Sequence, residues 1–415
     1  MSPPVTSPLP QHASPKPGAS LRTHWAIPAV LIACMCVSIL STDLYAPSLP
    51  HLTDVFATDA GTVKMTLSAN FLGYAFGPFA IGPLSDRFGR KPTLSCCMVL
   101  FALFSVACAL APTIDFLIGA RVGQGAAASV VSVLGVVIIR DLYSGPDAIR
   151  VLSIFGGAIG VAPAVGPVIG GWVHVTMGWE ANFWILAILG ILVAGAAWAF
   201  VPETARRTPL DIRLSLRRYS GLLRDPRFVL PGLAFSAVFA GLFAYISASP
   251  FLLIDQMGVA EERYGYYYGV GVLAYIGGAA LANHLADRAA PIALMQAGVA
   301  LSLLGAFIMV LLDVSDLMTP ITIVIAMSVF SMGLGLSFSA APMVMLSHVP
   351  KQRGAAAGVL FGAGQSLGAA IGVYSIAQFE NDTQTPLVLL ILFFTALAAF
   401  FVLCAQTNTS FQRDP

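Results

Sequence analysis

Two ionisable residues stand where such residues are costly. Asp43 lies near the end of an apolar run, just before Pro47, and Arg121 lies inside another, six residues from its start. An ionisable group within a membrane span is a functional candidate by default. A carboxylate in a low-dielectric cavity is disfavoured in its charged form by burial and favoured by a nearby guanidinium. Moving Asp43 relative to Arg121 would shift that balance and link proton binding to conformation. Arg121 cannot itself release a proton. Its part would be to tune the acid, or to hold a polar network with Gln124 one turn away on the same helix face. The alternatives are an Asp43 that merely meets interfacial water and an Arg121 that is a snorkelling or structural cation.

Composition says what must position these residues. The chain has 415 residues, 57% hydrophobic and 10% charged, where soluble domains carry about 25% charge. It reads as an integral membrane protein. A net charge of +1 gives no case for a nucleic-acid partner. Cys34, Cys36, Cys96, Cys97, Cys108 and Cys404 fall in apolar runs without CxxC spacing and read as small buried hydrophobes. His174, His284 and His348 fall at span ends or in loops, where solvation is expected, and no pair has ligand spacing. Paired acids, a nucleophile constellation and a phosphate-binding loop are absent from the sequence, so neither an enzyme nor an ATP-driven pump is expected.

Twelve apolar runs are long enough to span a bilayer as helices. They lie near 25–46, 62–84, 93–112, 114–139, 151–173, 180–201, 228–254, 265–286, 292–312, 319–346, 355–378 and 386–406. Residues 1–22, rich in Pro and Ser, read as a disordered tail before an uncleaved first helix. With both termini inside, every Lys and Arg but Lys64, Arg263 and the in-span Arg121 falls in a cytoplasmic segment. Residues 202–227 are the one long interior connection, an arginine-rich linker with a helix at the membrane surface. They divide the chain into bundles at 23–201 and 228–406, with a short tail at 407–415. Asp287-Arg288, between spans 8 and 9, echoes Asp86-Arg87 at the equivalent place in the first half. The expected fold is all-α: twelve transmembrane helices in two pseudo-repeated six-helix bundles, both termini cytoplasmic.

Between spans 2 and 3 runs Gly82-Pro-Leu-Ser-Asp-Arg-Phe-Gly-Arg-Lys-Pro92, a short cationic hairpin. Gly82 and Gly89 would permit close approach or a sharp turn, and Pro83 and Pro92 suit helix ends. Asp86 could cap the positive end of a neighbouring helix and pair with Arg or Lys, a contact that breaks when helices rock. A loop that only sets topology is the simpler alternative. Through Gly82, Leu84, Ser85, Asp86, Arg87, Gly89, Arg90 and Lys91 the stretch resembles the loop 2–3 signature of the major facilitator superfamily. That resemblance implies a cytoplasmic latch, with Asp86 facing the helix that starts near Gly354 and Arg90 meeting Asp141.

Arg121-Val-Gly-Gln124-Gly125 resembles the span 4 signature of the superfamily's proton antiporters. The run Gly160, Pro163, Gly166, Pro167, Gly170, Gly171 resembles their span 5 signature. Physically it makes a bare, proline-kinked helix face suited to close packing. Pro202-Glu203-Thr204 after span 6 resembles the drug-exporter branch, and Asp43-Leu-Tyr-Ala-Pro-Ser-Leu-Pro50, Arg140-Asp-Leu-Tyr143, Ser247-Ala-Ser-Pro250 and Tyr264-Gly-Tyr-Tyr267 together resemble the Bcr/CflA group of bicyclomycin- and chloramphenicol-resistance exporters. The resemblance implies drug–proton antiport in a bacterial inner membrane by a monomer, with the proton gradient as energy source and no cofactor. Where some related exporters carry a second acid in span 1, this chain has Met35, so one acid would serve the proton alone. Asn70, Tyr74, Tyr245, Ser247, Tyr275, Phe361 and Gln365 are candidates to line the substrate cavity. A proton-coupled symporter for a small metabolite is the nearest rival; it would share the loop signature but need not carry the span 5 run.

Overall fold

A segment in hydrocarbon must satisfy its backbone hydrogen bonds internally, which leaves helices as the means of crossing. The computed structural model describes residues 21–205, 219–347, 349, 354–379 and 383–410. Among the described residues the first half holds α1 (Leu21–Asp43), α2 (Ala60–Phe88), α3 (Arg90–Ala109), α4 (Ile114–Ala128 and Val130–Leu142, either side of Ser129), α5 (Gly145–Met177) and α6 (Trp179–Phe200). The second half holds α7 (Pro226–Pro250, running on as a π-helical turn Phe251–Gln256), α8 (Glu261–Leu285), α9 (Pro291–Val314), α10 (Pro320–Leu346), α11 (Gly354–Ala377) and α12 (Thr385–Ser410). A short helix, Leu49–Val55, joins α1 to α2.

Among the described residues, ten spans are long and apolar enough to cross a membrane. The other two long helices, α2 and α8, fall short only in apolar composition. Both lie on the seam between the halves, α2 against α11 and α8 against α5. Their polar and small residues face protein there, so hydropathy alone understates them.

The packing repeats. The pairs α2–α4, α3–α6, α1–α5 and α1–α6 recur six helices later as α8–α10, α9–α12, α7–α11 and α7–α12. Buried apolar side chains form one large cluster drawn mainly from α1–α6 and another from α7–α12. The molecule is thus an all-helical membrane protein of two six-helix bundles.

Helix ends differ from the expectation around the first cationic hairpin. α2 runs on through Asp86 and Arg87 to Phe88, so Pro83 sits inside the helix and the connection to α3 is Gly89 alone. Gly89 has φ +107°, a conformation that side-chain-bearing residues rarely adopt. Pro92 is in the first turn of α3, where its missing N–H costs nothing. Of the expected interior linker, residues 206–218 lie outside the described residues. Tyr219, just beyond them, sets its ring 5.2 Å from that of Phe79 on α2.

The halves meet tightly at the face opposite the cation-rich hairpin. There the position of a Cβ on Gly61 is taken by the Ala377 carbonyl, and that of a Cβ on Gly265 by the backbone of Pro167 and Val168. Ser68 donates to the Ala370 carbonyl across the seam at 2.9 Å. Lys64, expected at the aqueous surface, is fully buried in this seam with its ammonium 5.2 Å over the Phe251 ring. His174, expected to be solvated, is also buried, its Nε2 3.0 Å from the Glu261 carboxylate on α8. At the cation-rich end the halves part around a cavity bordered by Gly82 and Asp86 on one side and Ala356 and Gly358 on the other.

If the backbone contact of α8 with α5 seals the outer face, Gly265→Val should wedge it open. Labelling of a Thr42→Cys reporter by an impermeant thiol reagent added to that face should then rise severalfold. Unchanged labelling of folded protein would assign the seal to other contacts.

Candidate transport site

The glycines of α5 serve two neighbours. A Cβ on Gly166 would press on Cβ of Asp43, and one on Gly170 would overlap the Leu44 carbonyl, so this face seats the end of α1. The other face meets α8: Gly171 abuts the Glu261 carbonyl, and Gly160 faces Ile276. Pro163 and Pro167 lie within the helix. Side-chain-free backbone lets three helices converge where only two would otherwise fit.

Asp43 is the product of that convergence. It is buried, lines the cavity, and its Oδ1 accepts a 3.5 Å hydrogen bond from the Tyr268 hydroxyl on α8. Asp86, Arg90 and Arg140, the other charged residues described on the cavity wall, stand at its cation-rich mouth, so Asp43 is the acid of the deep part.

Arg121 is elsewhere. It is fully buried inside the first bundle, and it forms no ion pair with Asp43. Its Nη1 donates to the Ser41 carbonyl at 2.8 Å and to Gln124 Oε1, and its Nε donates to the Thr66 carbonyl at 3.3 Å. The guanidinium lies 4.6 Å over the Tyr45 ring. Gln124 Nε2 in turn donates to Ser105 Oγ at 2.8 Å. Of the two parts the sequence offered it, Arg121 makes the polar network with Gln124 and no direct contact with Asp43, and it ties α1, α2 and α4 together through backbone carbonyls. The reason is geometric: Arg121 takes the Ser41 main-chain carbonyl near the end of α1, whereas the Asp43 side chain leaves the helix toward the cavity.

The cavity has a volume of about 780 Å³. Of the residues the sequence singled out, Tyr74, Tyr245, Tyr275, Phe361 and Gln365 line it, and so does Met35. Asn70 and Ser247 do not. Asn70 is core, donating to the Arg121 carbonyl at 3.3 Å and accepting from Thr42 at 3.4 Å, while Ser247 bonds back to the Ala244 carbonyl. Residues that the sequence reading missed are Phe71, Phe239, Phe243, Phe338 and, above all, Tyr268. The run Tyr266-Tyr267-Tyr268 was the available signal; packing turns Tyr267 and Tyr268 to the cavity and leaves Tyr266 outside, and only Tyr268 reaches Asp43.

At the mouth, Arg90 is ion-paired with Asp141 and its Nη1 donates to Thr204 Oγ1 at 3.2 Å. Glu203 Oε1 accepts from the Arg90 backbone N–H at 2.9 Å and from that of Ala205 at 2.8 Å. Although burial works against its charge, these N–H groups hold the Glu203 carboxyl below the usual glutamate range. Glu203 thereby caps α3, and a Cβ on Gly89 would collide with its carboxylate. Asp86 is exposed and forms no hydrogen bond or ion pair among the described residues; residues 350–353, just before the helix it was expected to face, lie outside them. Gly82 faces open space there, with no neighbour that would demand a glycine. Arg87 lies 5.1 Å over Phe88, and Lys91 lies 5.2 Å over Trp198.

Arg121→Lys should lose the fork that reaches Ser41, Thr66 and Gln124, and lower the thermal unfolding midpoint in detergent by at least about 5 °C. A midpoint within one degree of wild type would mean the network is not structural. Glu203→Ala should lower the hydrogen-exchange protection factor of the Arg90 amide, whose N–H loses its acceptor, and in wild type that protection factor should fall only as the pH drops below the usual glutamate range, where the depressed Glu203 carboxyl takes up its proton. Equal exchange in both proteins would remove Glu203 as the cap.

The family model of the Major Facilitator Superfamily matches residues 31–373. A chloramphenicol resistance protein of Pseudomonas aeruginosa is 27% identical over 353 residues, covering 84% of this chain and 83% of that protein. A bicyclomycin resistance protein homolog of Haemophilus influenzae is 26% identical, covering 83% and 87%. The structure of a bacterial homolog of the human lysosomal transporter Spinster, inward-facing and unoccupied, shares the fold with a TM-score of 0.75 at 18% identity, covering 96% of this chain and all of that one. The Arg-anchored first bundle, the repeated second bundle and the cavity between them are therefore those of a transporter, and the chain belongs to the major facilitator superfamily.

Proposed function

We propose that the protein is a proton-coupled exporter of small organic molecules, akin to the bicyclomycin- and chloramphenicol-resistance exporters, working by alternating access in a bacterial inner membrane. The observation that carries this reading is the aromatic-lined cavity between the bundles with Asp43 as its one deep acid. Its rings suit a neutral or amphiphilic molecule with a planar part. Binding of substrate and of a proton would alternate because both use the same wall. The cation-rich mouth is assigned to the cytoplasm by the positive-inside rule, so the state described is open to the inside. Arg121, Gln124, Ser105 and Thr66 hold the scaffold against which Asp43 moves. The Arg90–Asp141 pair and Glu203 set the hairpin so that Asp86 can seat on α11 when the mouth closes. The direction of transport rests on the span 5 run and on the named relatives.

Purified protein in weak buffer with a pH indicator tests the reading. Addition of chloramphenicol, bicyclomycin, a sulfonamide or a cationic dye should release protons from wild type, and release should vanish in Asp43→Asn. Undiminished release from Asp43→Asn would move the proton site elsewhere. Proton uptake on binding would indicate symport.

A further inference from the structure

The Asp43–Tyr268 hydrogen bond crosses the seam: Asp43 belongs to α1 of the first bundle and Tyr268 to α8 of the second. We propose that Tyr268 is the positioning residue that makes the proton affinity of Asp43 depend on which way the transporter faces. The inference rests on the proposed proton site and adds the group that switches it.

A hydroxyl donated to a carboxylate favours its ionised form. The backbone contacts that bring α8 beside Asp43 lie at the closed outer seam. Gly265, less than a turn before Tyr268, packs on the α5 backbone at Val168, and Gly166 of α5 packs on Asp43 itself. Opening the outer face must part α5 from α8, and that withdraws Tyr268 from Asp43. With the outside open, Asp43 loses its donor and binds a proton more readily. With the outside closed, the returning hydroxyl stabilises the carboxylate and favours proton release to the inside. The sign is the one an inward proton flow requires.

No charged group on a neighbouring element competes for this part. α8 presents Tyr264, Tyr267 and Tyr268, α7 presents Tyr245, and α2 contributes Tyr74 and the uncharged Asn70. On α5, Gly166 packs on Asp43 and Pro163 lines the same cavity. Arg121 of α4 is committed to the Ser41 and Thr66 carbonyls and Gln124. Tyr264 provides an internal comparison, because its hydroxyl is shared with Ser249 Oγ at 2.7 Å rather than with Asp43.

Infrared titration in lipid nanodiscs tests the inference without any substrate. The carboxyl band of Asp43 is isolated as the difference between wild type and Asp43→Asn. The outer seam is held shut by cross-linking Ser68→Cys to Ala370→Cys, at positions that already touch across it. Under these conditions Tyr268→Phe should raise the titration midpoint by about half to one pH unit, about three- to tenfold in proton affinity. Tyr268→Gln, which restores an N–H donor, should bring the midpoint part of the way back, and Tyr264→Phe should leave it in place. A titrating Asp43 band with the same midpoint in wild type and Tyr268→Phe overturns the role of Tyr268 alone. A band that does not titrate between pH 4 and 10 overturns the proton site and this inference with it.

Discussion

Backbone-to-backbone approach at α5 is the constraint on which the functional geometry depends. Gly166 and Gly170 admit the end of α1, while Gly171 and the Pro167–Val168 backbone admit α8. In hydrocarbon there is no hydrophobic gain from pressing helices together, so close packing and polar pairing must supply the cohesion. Small residues on α5 supply the first, and Asp43–Tyr268 and His174–Glu261 supply the second. The same feature makes the outer seam separable. Contacts of backbone with backbone carry no interlocked side chains that would have to be pulled apart.

The two bundles divide labour between rigidity and response. Arg121 is held by three acceptors and two aromatic faces, all within the first bundle. Removing such a buried cation's partners, or the cation itself, leaves uncompensated polar groups, so the network is costly to break. Asp43 has one long hydrogen bond, and that bond comes from the other bundle. A group held so lightly, across an interface that must open, is suited to change its protonation with conformation. Arg121 is suited to keep the frame on which that change is registered.

The hairpin at the mouth follows a similar logic. Its turn is reduced to Gly89, and Glu203 from the end of the first bundle caps the helix that follows. Arg90 is thereby fixed against Asp141, while Asp86 stays exposed and available. Within one short stretch, part of the charge is bound into the first bundle and part is exposed at the mouth.

Much of this was legible in the sequence because the bilayer imposes it. Length and apolarity dictate helices, cation placement orients them, and the glycine spacing at 160–171 announces a bare face. The costly residues Asp43 and Arg121 announce themselves too. Their relation was not legible: residues that share a depth need not share a side, and the path of the chain past Ser41 sends Arg121 inward and Asp43 toward the cavity. Nor could sequence choose Tyr268 among three consecutive tyrosines, or bury Lys64 and His174, which a hydropathy reading leaves in water. Sequence by itself determined the twelve-helix membrane architecture, because that follows from local apolar length. Only the tertiary structure decided which polar groups meet, because those meetings depend on two bundles, far apart in the chain, closing on one another.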